Sequence, residues 1–258
     1  MIDYYPDFSS CFLPHARTLS VWLPPGYGLE PNRRYPVFYM HDGQNLFDPH
    51  TAFGGVPWGV GDVAEREIQA GHVEPLIIVG VANTPDRLSE YGPLRRGSEH
   101  PKDLSHEYGR FLVEEVKPFI DATYRTLPER EHTAIGGSSM GGLISLHLCK
   151  WYPDVFGKCA AMSPSLWWDR EYFLRTVMVS PDWLRNCRVW LDVGEYEGHT
   201  QAASDATIRR TRRLAAFFAK YGLREGEQFR YVEVPGATHH EVAWGGRFDE
   251  VLRFLFGA

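Results

Sequence analysis

Short apolar runs alternate with longer amphipathic segments along this chain. Residues 76–81 are β-branched and apolar on both faces, which is typical of a central strand in a parallel sheet. Residues 19–23 and 229–234 alternate between apolar and polar positions, and the first of these runs predicts a strand at an exposed sheet edge. Further short apolar runs predict strands at residues 37–40, 133–136, 159–162 and 189–193.

Apolar positions at helical spacing predict the helices. Residues 108–124 carry an apolar stripe of this kind, with Pro118 as an expected irregularity. Residues 140–151 follow a glycine-rich stretch directly, and residues 207–221 are amphipathic up to a glycine that favours a helix end. A last helix is expected at residues 248–256.

Alternating strands and helices predict an α/β fold with a mainly parallel central sheet and helices on both faces. We expect residues 1–258 to form a single domain, with N-terminal strands within about residues 1–40. In such sheets the functional residues lie in loops beyond the carboxyl ends of the strands. Candidate catalytic residues are therefore expected in those loops.

Composition and charge argue against several function classes. The formal net charge of -6 indicates no basic surface for nucleic acid or for an anionic membrane. No apolar run approaches the roughly 18 residues of a membrane span, and the first residues lack the pattern of a secretory signal. Cys11, Cys149, Cys159 and Cys187 show no CxxC spacing, so we interpret them as buried reduced thiols rather than metal ligands. These features predict a cytoplasmic protein.

A candidate nucleophile lies in residues 133–142, which read Thr-Ala-Ile-Gly-Gly-Ser-Ser-Met-Gly-Gly. The stretch contains G-x-S-x-G centred on Ser139, between a predicted strand and a predicted helix, as in a nucleophile elbow. The outer glycines leave room around a strained turn, and the helix N-terminus favours negative charge. Ser138 is the poorer candidate because the bulky Met140 would flank it. The alternative is a plain glycine-rich turn with Ser139 as the helix N-cap.

The base and the acid should follow the serine in a fixed order. In hydrolases with this elbow the acid comes next along the chain and the histidine comes last. The loop after the last predicted strand holds two candidate bases, His239 and His240. The end of the preceding strand and its loop offer Asp192, Glu195 and Glu197 as acids, and chain order does not choose among them.

Acyl transfer also needs N–H groups that bind the oxyanion developing in the transition state. Met140, the residue after the candidate nucleophile, is expected to supply one backbone N–H. The second is expected from residues 41–45, His-Asp-Gly-Gln-Asn, which follow an early strand. Gly43 in this loop permits close backbone approach, whereas a simple Asp-Gly turn is the alternative interpretation.

Three segments together resemble a family of esterases in the α/β-hydrolase superfamily. They are the elbow Gly-Ser-Ser-Met-Gly-Gly at residues 137–142, Tyr-Met-His-Asp-Gly-Gln-Asn-Leu-Phe-Asp at 39–48, and Ser-Pro-Ser-Leu-Trp-Trp at 163–168. The family includes enterochelin-esterase-like hydrolases, feruloyl esterases of xylan-degrading complexes and, more distantly, esterase D and the mycolyltransferases. The resemblance spans about residues 17–256 and implies an α/β-hydrolase fold and a serine esterase that needs no cofactor or metal.

The resemblance also implies individual roles. Members place the acid three residues after a glycine that ends a strand, which favours Glu197 over the other carboxylates. They place the histidine five residues before a tryptophan, which favours His239. The mycolyltransferases use the N–H after Asp-Gly, here Gln44, as an oxyanion donor. The implied site therefore combines the triad Ser139, His239 and Glu197 with backbone N–H groups of Met140 and Gln44.

Two loops are expected to flank this site, at residues 84–107 and 167–184. Arg87 in the first loop and Trp167 and Trp168 in the second would give a basic and aromatic rim that could bind substrate. Ordinary core packing for the tryptophans and a solvated surface position for the arginine are the alternative.

The expected activity is hydrolysis of a small-molecule carboxylic ester, such as an aryl, feruloyl or sugar ester. Acyl transfer to an alcohol, siderophore hydrolysis and a binding protein on an inactive hydrolase fold are the alternatives. Enterochelin esterases carry an additional N-terminal domain for which these residues leave no room, which disfavours a siderophore. Surface aromatic residues are compatible with a homo-oligomer.

Overall fold

The computed structural model describes residues 1–100, 102–179 and 181–258. The strands of this part are β1 (Ile2–Phe8), β2 (Arg17–Trp22), β3 (Val37–His41), β4 (Ile77–Val81), β5 (Thr133–Ser138), β6 (Lys158–Met162), β7 (Arg188–Tyr196) and β8 (Phe229–Thr238). They form a sheet with the order β1-β2-β4-β3-β5-β6-β7-β8. The pairs β1–β2 and β2–β4 are antiparallel, and the pairs from β4 to β8 are parallel.

Helices connect the strands. They are α1 (Val60–Gln69), α2 (Arg87–Tyr91), α3 (Ser105–Arg110), α4 (Lys117–Thr123), α5 (Met140–Trp151), α6 (Trp168–Val177), α7 (Gln201–Tyr221), α8 (Glu241–Gly245) and α9 (Phe248–Phe256). A π-helical segment, Phe111–Val116, joins α3 to α4. Short 3-10 turns lie at Gly43–Asn45, Phe53–Gly55, Arg130–His132 and Asp182–Asn186.

The hydrophobic core forms two layers, one on each face of the sheet. Alternate residues of a strand enter opposite layers, as Tyr39 and Phe38 of β3 do. One layer is covered by α3, α4, α5, α6 and α7, and the other by α1 and α9. This arrangement confirms the predicted α/β fold with a mainly parallel sheet and helices on both faces. The single-domain organisation of residues 1–258 stays a prediction.

The prediction of an exposed edge strand at residues 19–23 is wrong. This segment is β2, which lies between β1 and β4 and is buried along most of its length. The outer strand is β1, whose Tyr4 is exposed. A serine inside an alternating run suggests a solvent-facing position, whereas the Ser20 hydroxyl packs against the Gly80 backbone of β4.

Helix boundaries differ from the predictions at three places. The helix expected at 108–124 begins at Ser105 and widens into the π-helical segment just before Pro118, a residue that cannot donate a backbone hydrogen bond. Helix α7 begins six residues earlier than predicted, because Thr200 caps a first turn that lacks large apolar side chains. The expected loops at 84–107 and 167–184 are partly helical, since they contain α2 and α6.

Three of the four cysteines are buried, as predicted, but the prediction is wrong for Cys11, which is exposed. Cys11 precedes β2 in a surface segment, where its backbone N–H donates to Glu115. Among the described residues, no helix is both long enough and apolar enough to cross a membrane.

Candidate active site

Ser139 lies at the sharp turn between β5 and α5. Its φ of 57° and ψ of -120° are unusual for a residue with a side chain, and such conformations cost about 1–3 kcal/mol. The surrounding backbone holds it there, because its N–H donates to the Met162 carbonyl at 2.9 Å. Its own carbonyl accepts from Leu143 and Ser165 at 3.1 and 3.0 Å. The turn therefore presents the hydroxyl in a fixed direction.

The glycines on either side of Ser139 make room for His41. A Cβ at Gly137 would lie 3.1 Å from the His41 Cβ, and a Cβ at Gly141 would lie 3.2 Å from it. The His41 Nδ1 lies 2.8 Å from the Tyr108 hydroxyl. Burial lowers the pKa of His41 to about 3, outweighing the nearby Asp42 carboxylate. His41 is thus a neutral packing residue beneath the turn.

The structure brings Ser139, His239 and Glu197 together in one hydrogen-bonded series. The His239 Nε2 lies 2.8 Å from the Ser139 Oγ, and the Nδ1 lies 2.5 Å from the Glu197 Oε2. Because an ionised carboxylate only accepts, Nδ1 carries the proton and Nε2 offers its lone pair to the serine hydroxyl. The three residues follow β5, β7 and β8, so they meet at the carboxyl ends of parallel strands.

The two neighbouring histidines have different surroundings. The His239 and Trp244 rings are nearly perpendicular, at 84°, with ring centroids 4.9 Å apart. His240 instead lies at the N-terminus of α8, where its side chain accepts from the Val242 N–H. The imidazole that reaches the serine is therefore that of His239.

Glu197 is held by donors on both carboxylate oxygens. Oε1 accepts from the Ser163 hydroxyl at 2.6 Å and from the Gly194 backbone N–H, and Oε2 accepts from His239. Burial by itself would raise the pKa of Glu197, but the hydrogen bonds from His239 and Ser163 outweigh it and lower this pKa below its usual value. The carboxylate is therefore ionised at neutral pH.

The other two candidate acids have other partners. Asp192 lies within β7, where it accepts from the Trp190 indole at 2.7 Å and pairs with Arg247 at 2.7 Å. Glu195 accepts from the Gly236 N–H at 2.7 Å. Among the three acids that chain order left open, Glu197 is the one whose carboxylate contacts His239.

Both predicted oxyanion donors lie close to the serine turn. Met140 is the first residue of α5, and the first N–H groups of a helix have no intrahelical acceptor. Gln44 lies in the 3-10 turn after β3 and lines the same cavity as Ser139. A Cβ at Gly43 would lie 2.5 Å from the Gly80 carbonyl carbon, so the loop reaches this place only because residue 43 is glycine.

A network that the sequence analysis missed fixes the Gln44 loop. Asp42 has a φ of 56°, and its carboxylate accepts two hydrogen bonds of 2.7 Å from the Arg87 guanidinium. The Asn83 side chain donates to the same carboxylate at 2.6 Å, and the Asn83 N–H donates to the Gln44 side chain at 3.1 Å. Arg87 was predicted to bind substrate, and it lines the cavity while also holding Asp42. The sequence signal for this turn is the pair Asp42-Gly43, because Asp tolerates the left-handed conformation and Asp-Gly is typical of turns.

Ser139 and His239 line a cavity of about 340 Å³. Its lining residues are Asp42, Gln44, Asn45, Phe53, Trp58, Asn83, Arg87, Ser138, Ser139, His239, His240, Glu241 and Trp244. A larger depression of about 600 Å³ lies around Arg188 and Arg253, at the amino ends of the strands and away from the triad. The cavity at the serine thus combines the aromatic side chains Phe53, Trp58 and Trp244 with the charged side chains Asp42, Arg87 and Glu241.

The two predicted substrate tryptophans lie elsewhere. Trp167 is 50% exposed, whereas Trp168 is 8% exposed and stacks on the His100 ring at 4.5 Å. Neither belongs to the lining of the serine cavity in the described part of the chain. Trp168 packs against Gly92, which matches the alternative of ordinary core packing.

A family model described as "Putative esterase" matches residues 10–255. The chain belongs to this esterase family. A curated relative, the ferri-bacillibactin esterase BesA of Bacillus subtilis, is 25% identical over 246 residues, which are 88% of this chain and 81% of that protein. This membership confirms the predicted family and an enzyme that acts on ester bonds.

Solved structures show the same fold. The BES protein from Bacillus cereus has a TM-score of 0.80 at 21% identity, and the alignment covers 99% of this esterase and 94% of that chain. A ferulic acid esterase has a TM-score of 0.75 at 21% identity, with 99% and 98% covered. The prediction of an α/β-hydrolase fold is confirmed by these likenesses.

Proposed function

We propose that this protein is a serine carboxylesterase that hydrolyses small-molecule carboxylic esters through Ser139, His239 and Glu197. The observation that carries the proposal is the unbroken hydrogen-bonded series from Ser139 to Glu197, with spacings of 2.8 and 2.5 Å, whose Ser139 and His239 line a cavity. Membership of an esterase family supports it. Such a series activates a serine hydroxyl that is otherwise a weak nucleophile.

The first half of the reaction forms an acyl-enzyme. The Ser139 Oγ attacks the ester carbonyl carbon, and His239 Nε2 takes the hydroxyl proton. The backbone N–H groups of Met140 and Gln44 bind the oxyanion of the tetrahedral intermediate, each worth roughly 3–4 kcal/mol by analogy with other hydrolases. The imidazolium then gives its proton to the leaving alcohol, and Glu197 stabilises the imidazolium throughout.

The second half regenerates the enzyme. Water attacks the acyl carbonyl while His239 removes one of its protons, and the same donors bind the second oxyanion. Collapse of this intermediate breaks the bond to the Ser139 Oγ, which regains its proton from His239. This half of the reaction releases the carboxylic acid and restores the free Ser139 hydroxyl.

The cavity supports an ester with an aromatic or sugar component. Phe53, Trp58 and Trp244 present ring surfaces, and Asn45 and Asn83 add amide groups to the lining. Aromatic surfaces with a few polar groups suit a phenolic acid or a sugar ring. Similarity in fold to a ferulic acid esterase is consistent with an aryl or feruloyl ester.

Siderophore hydrolysis is the second candidate. It is favoured by the sequence similarity to the ferri-bacillibactin esterase BesA over most of both chains. Acyl transfer would use the same acyl-enzyme, with an alcohol in place of water. The three possibilities differ in substrate or acceptor and share the chemistry at Ser139.

A substrate panel tests the proposal. Purified protein is assayed with p-nitrophenyl acetate, methyl ferulate, an acetylated sugar and ferri-bacillibactin, with and without added alcohol acceptors. Ser139→Ala is expected to lower ester cleavage by roughly 10⁴-fold or more. Ser138→Ala, which removes the other candidate hydroxyl, is expected to keep most of the activity. Equal rates for wild type and Ser139→Ala would refute the nucleophile, and a new ester in the presence of an alcohol would identify acyl transfer.

A further inference from the structure

Ser163 lies directly after β6 in a strained, buried position. Its φ is 43° and it is 1% exposed. A residue with a Cβ has a higher conformational free energy at this φ than glycine has, because glycine adopts positive φ without a steric penalty. The backbone N–H of Ser163 donates to the Asp192 carbonyl at 3.1 Å and to its carboxylate at 3.0 Å. A hydroxyl is therefore placed at this point despite a backbone that favours glycine.

The Ser163 hydroxyl has three partners, and their chemistry fixes the direction of its proton. The Trp244 indole N–H lies 3.1 Å from the Ser163 Oγ, and an Arg247 guanidinium nitrogen lies 2.9 Å from it. Both groups only donate, so they use the two lone pairs of the hydroxyl oxygen. The one proton of the hydroxyl must then point to the third partner, the Glu197 Oε1 at 2.6 Å.

Arg247 is itself held by a buried ion pair. Its guanidinium contacts both oxygens of the Asp192 carboxylate, at 2.7 and 3.1 Å. The two side chains are 5% and 0% exposed, and Trp190 donates to the same carboxylate at 2.7 Å. Because the pair is buried and bonded on both sides, the nitrogen that faces Ser163 has little freedom to move.

Trp244 connects this network to the base. Its indole N–H contacts Ser163, while its ring packs nearly perpendicular to the His239 ring. The partners of Glu197 are thus Ser163 and the Gly194 N–H on Oε1, with His239 on Oε2. With Oε1 fully occupied, Oε2 remains for the imidazole.

We propose that Ser163, oriented by Arg247 and Trp244, is a positioning residue that holds the Glu197 carboxylate in the orientation its bond to His239 requires. The proposal rests on the proposed triad. Without this hydroxyl, Glu197 can rotate away from His239, and the imidazole loses the partner that fixes its tautomer. The consequence is a slower chemical step with little change in substrate binding.

Two substitutions separate the hydroxyl from the backbone strain. Ser163→Ala removes the hydroxyl and keeps the strain, whereas Ser163→Gly removes the hydroxyl and relieves it. Ser105→Ala is the matched control, because it deletes another buried serine hydroxyl that donates to a carboxylate at 2.6 Å, that of Asp103. Each kcat is divided by the number of active sites labelled by a fluorophosphonate at completion.

Both Ser163 variants are expected to lower kcat per labelled site by about 10- to 100-fold, the scale of one lost hydrogen bond to a charged group. KM is expected to stay within about threefold. The acid limb of the kcat profile should move to higher pH, because the hydrogen bond from Ser163 is one of the causes that lower the pKa of Glu197, and its loss raises that pKa. Ser105→Ala should match wild type in all three measurements.

Wild-type kcat per labelled site in Ser163→Gly would overturn the proposal, since the enzyme would then not need the Ser163 hydroxyl. If the Ser163 variants only reduce the fraction of protein that the fluorophosphonate labels, and the pH profile of kcat is unchanged, Ser163 has a purely structural role. Either result leaves the triad intact if Ser139→Ala remains inactive. Failure of the proposed function itself would appear separately, as equal activity of wild type and Ser139→Ala.

Discussion

The Asp42 carboxylate and the Arg87 guanidinium face each other through two hydrogen bonds of 2.7 Å, next to the turn that carries Gln44. Two parallel hydrogen bonds fix the relative orientation of the two side chains, in addition to pairing their charges. Because Asp42 is in a left-handed conformation, the pair restrains the backbone that directs the Gln44 N–H. An arginine predicted to bind substrate therefore also contacts the loop of the proposed oxyanion donor.

The first prediction concerns Arg87→Lys. Lysine keeps the charge and loses the two-pronged contact, so the Gln44 loop becomes less well ordered. We expect kcat to fall about tenfold, a fraction of the effect of deleting an oxyanion donor, with a smaller change in KM. Steady-state kinetics with p-nitrophenyl acetate measure both constants. Arg170→Lys, an exposed arginine paired with Glu99, is the control. A raised KM with unchanged kcat would instead assign Arg87 to substrate binding.

The second prediction concerns the close packing of Gly43 on β4. Gly43→Ala places a Cβ against the Gly80 backbone at 2.5 Å, so the loop must move away from the sheet. We expect a loss of kcat of at least about tenfold, because the Gln44 N–H moves with the loop. Gly28→Ala is the matched control, since its added Cβ meets no atom within 4 Å. Full activity of Gly43→Ala would separate this loop from catalysis.

The third prediction concerns Glu67, which links α1 to α9. Its carboxylate accepts from Arg253 at 2.7 Å and from His72 at 3.0 Å. The hydrogen bond from Arg253, against the opposing effect of burial, lowers the pKa of Glu67 to about 2. A carboxyl whose pKa is lower in the folded state stabilises the fold above its unfolded pKa, and this stabilisation disappears as pH falls through the folded value.

Glu67→Gln is therefore expected to lower the free energy of unfolding at pH 7 by about 2–3 kcal/mol. The difference from wild type should shrink as pH falls from about 4.5 towards 2. Urea unfolding at several pH values measures it, with Glu65→Gln on the exposed face of the same helix as the control. A difference that does not depend on pH would show that the Glu67 charge is not responsible.

Hydrophobic patterning predicted the strands β2 to β8 and the longer helices α5, α7 and α9, but it assigned no segment to β1 or α1. Buried parallel strands are apolar on both faces, and long amphipathic helices repeat every 3.6 residues, so both signals are local. The position of β2 could not be read in this way, because a serine inside a strand looks solvent-facing until its neighbour is known. The start of α7 was missed for a similar reason, since its first turn carries no large apolar side chain.

Local sequence patterns likewise identify some residues of the candidate site and miss others. The G-x-S-x-G motif indicated Ser139, and chain order left His239 and His240 as candidate bases. The structure places His239 within hydrogen-bond distance of Ser139. The choice of Glu197 needed either the family resemblance or the fold, because three acids lie within six residues. Arg247 and Ser163 are 84 residues apart and meet only in the folded chain. Contacts of that kind leave no local pattern in the sequence.

Covalent labelling shows directly whether Ser139 is the nucleophile. The protein is treated with a fluorophosphonate, and intact mass with peptide mapping shows how many groups attach and where. We expect one phosphonyl group per chain, on Ser139, with slow labelling of His239→Ala and none at this position in Ser139→Ala. A wild-type protein that stays unlabelled, or that carries the group on Ser138 or another residue, would contradict the assignment of Ser139 as the nucleophile.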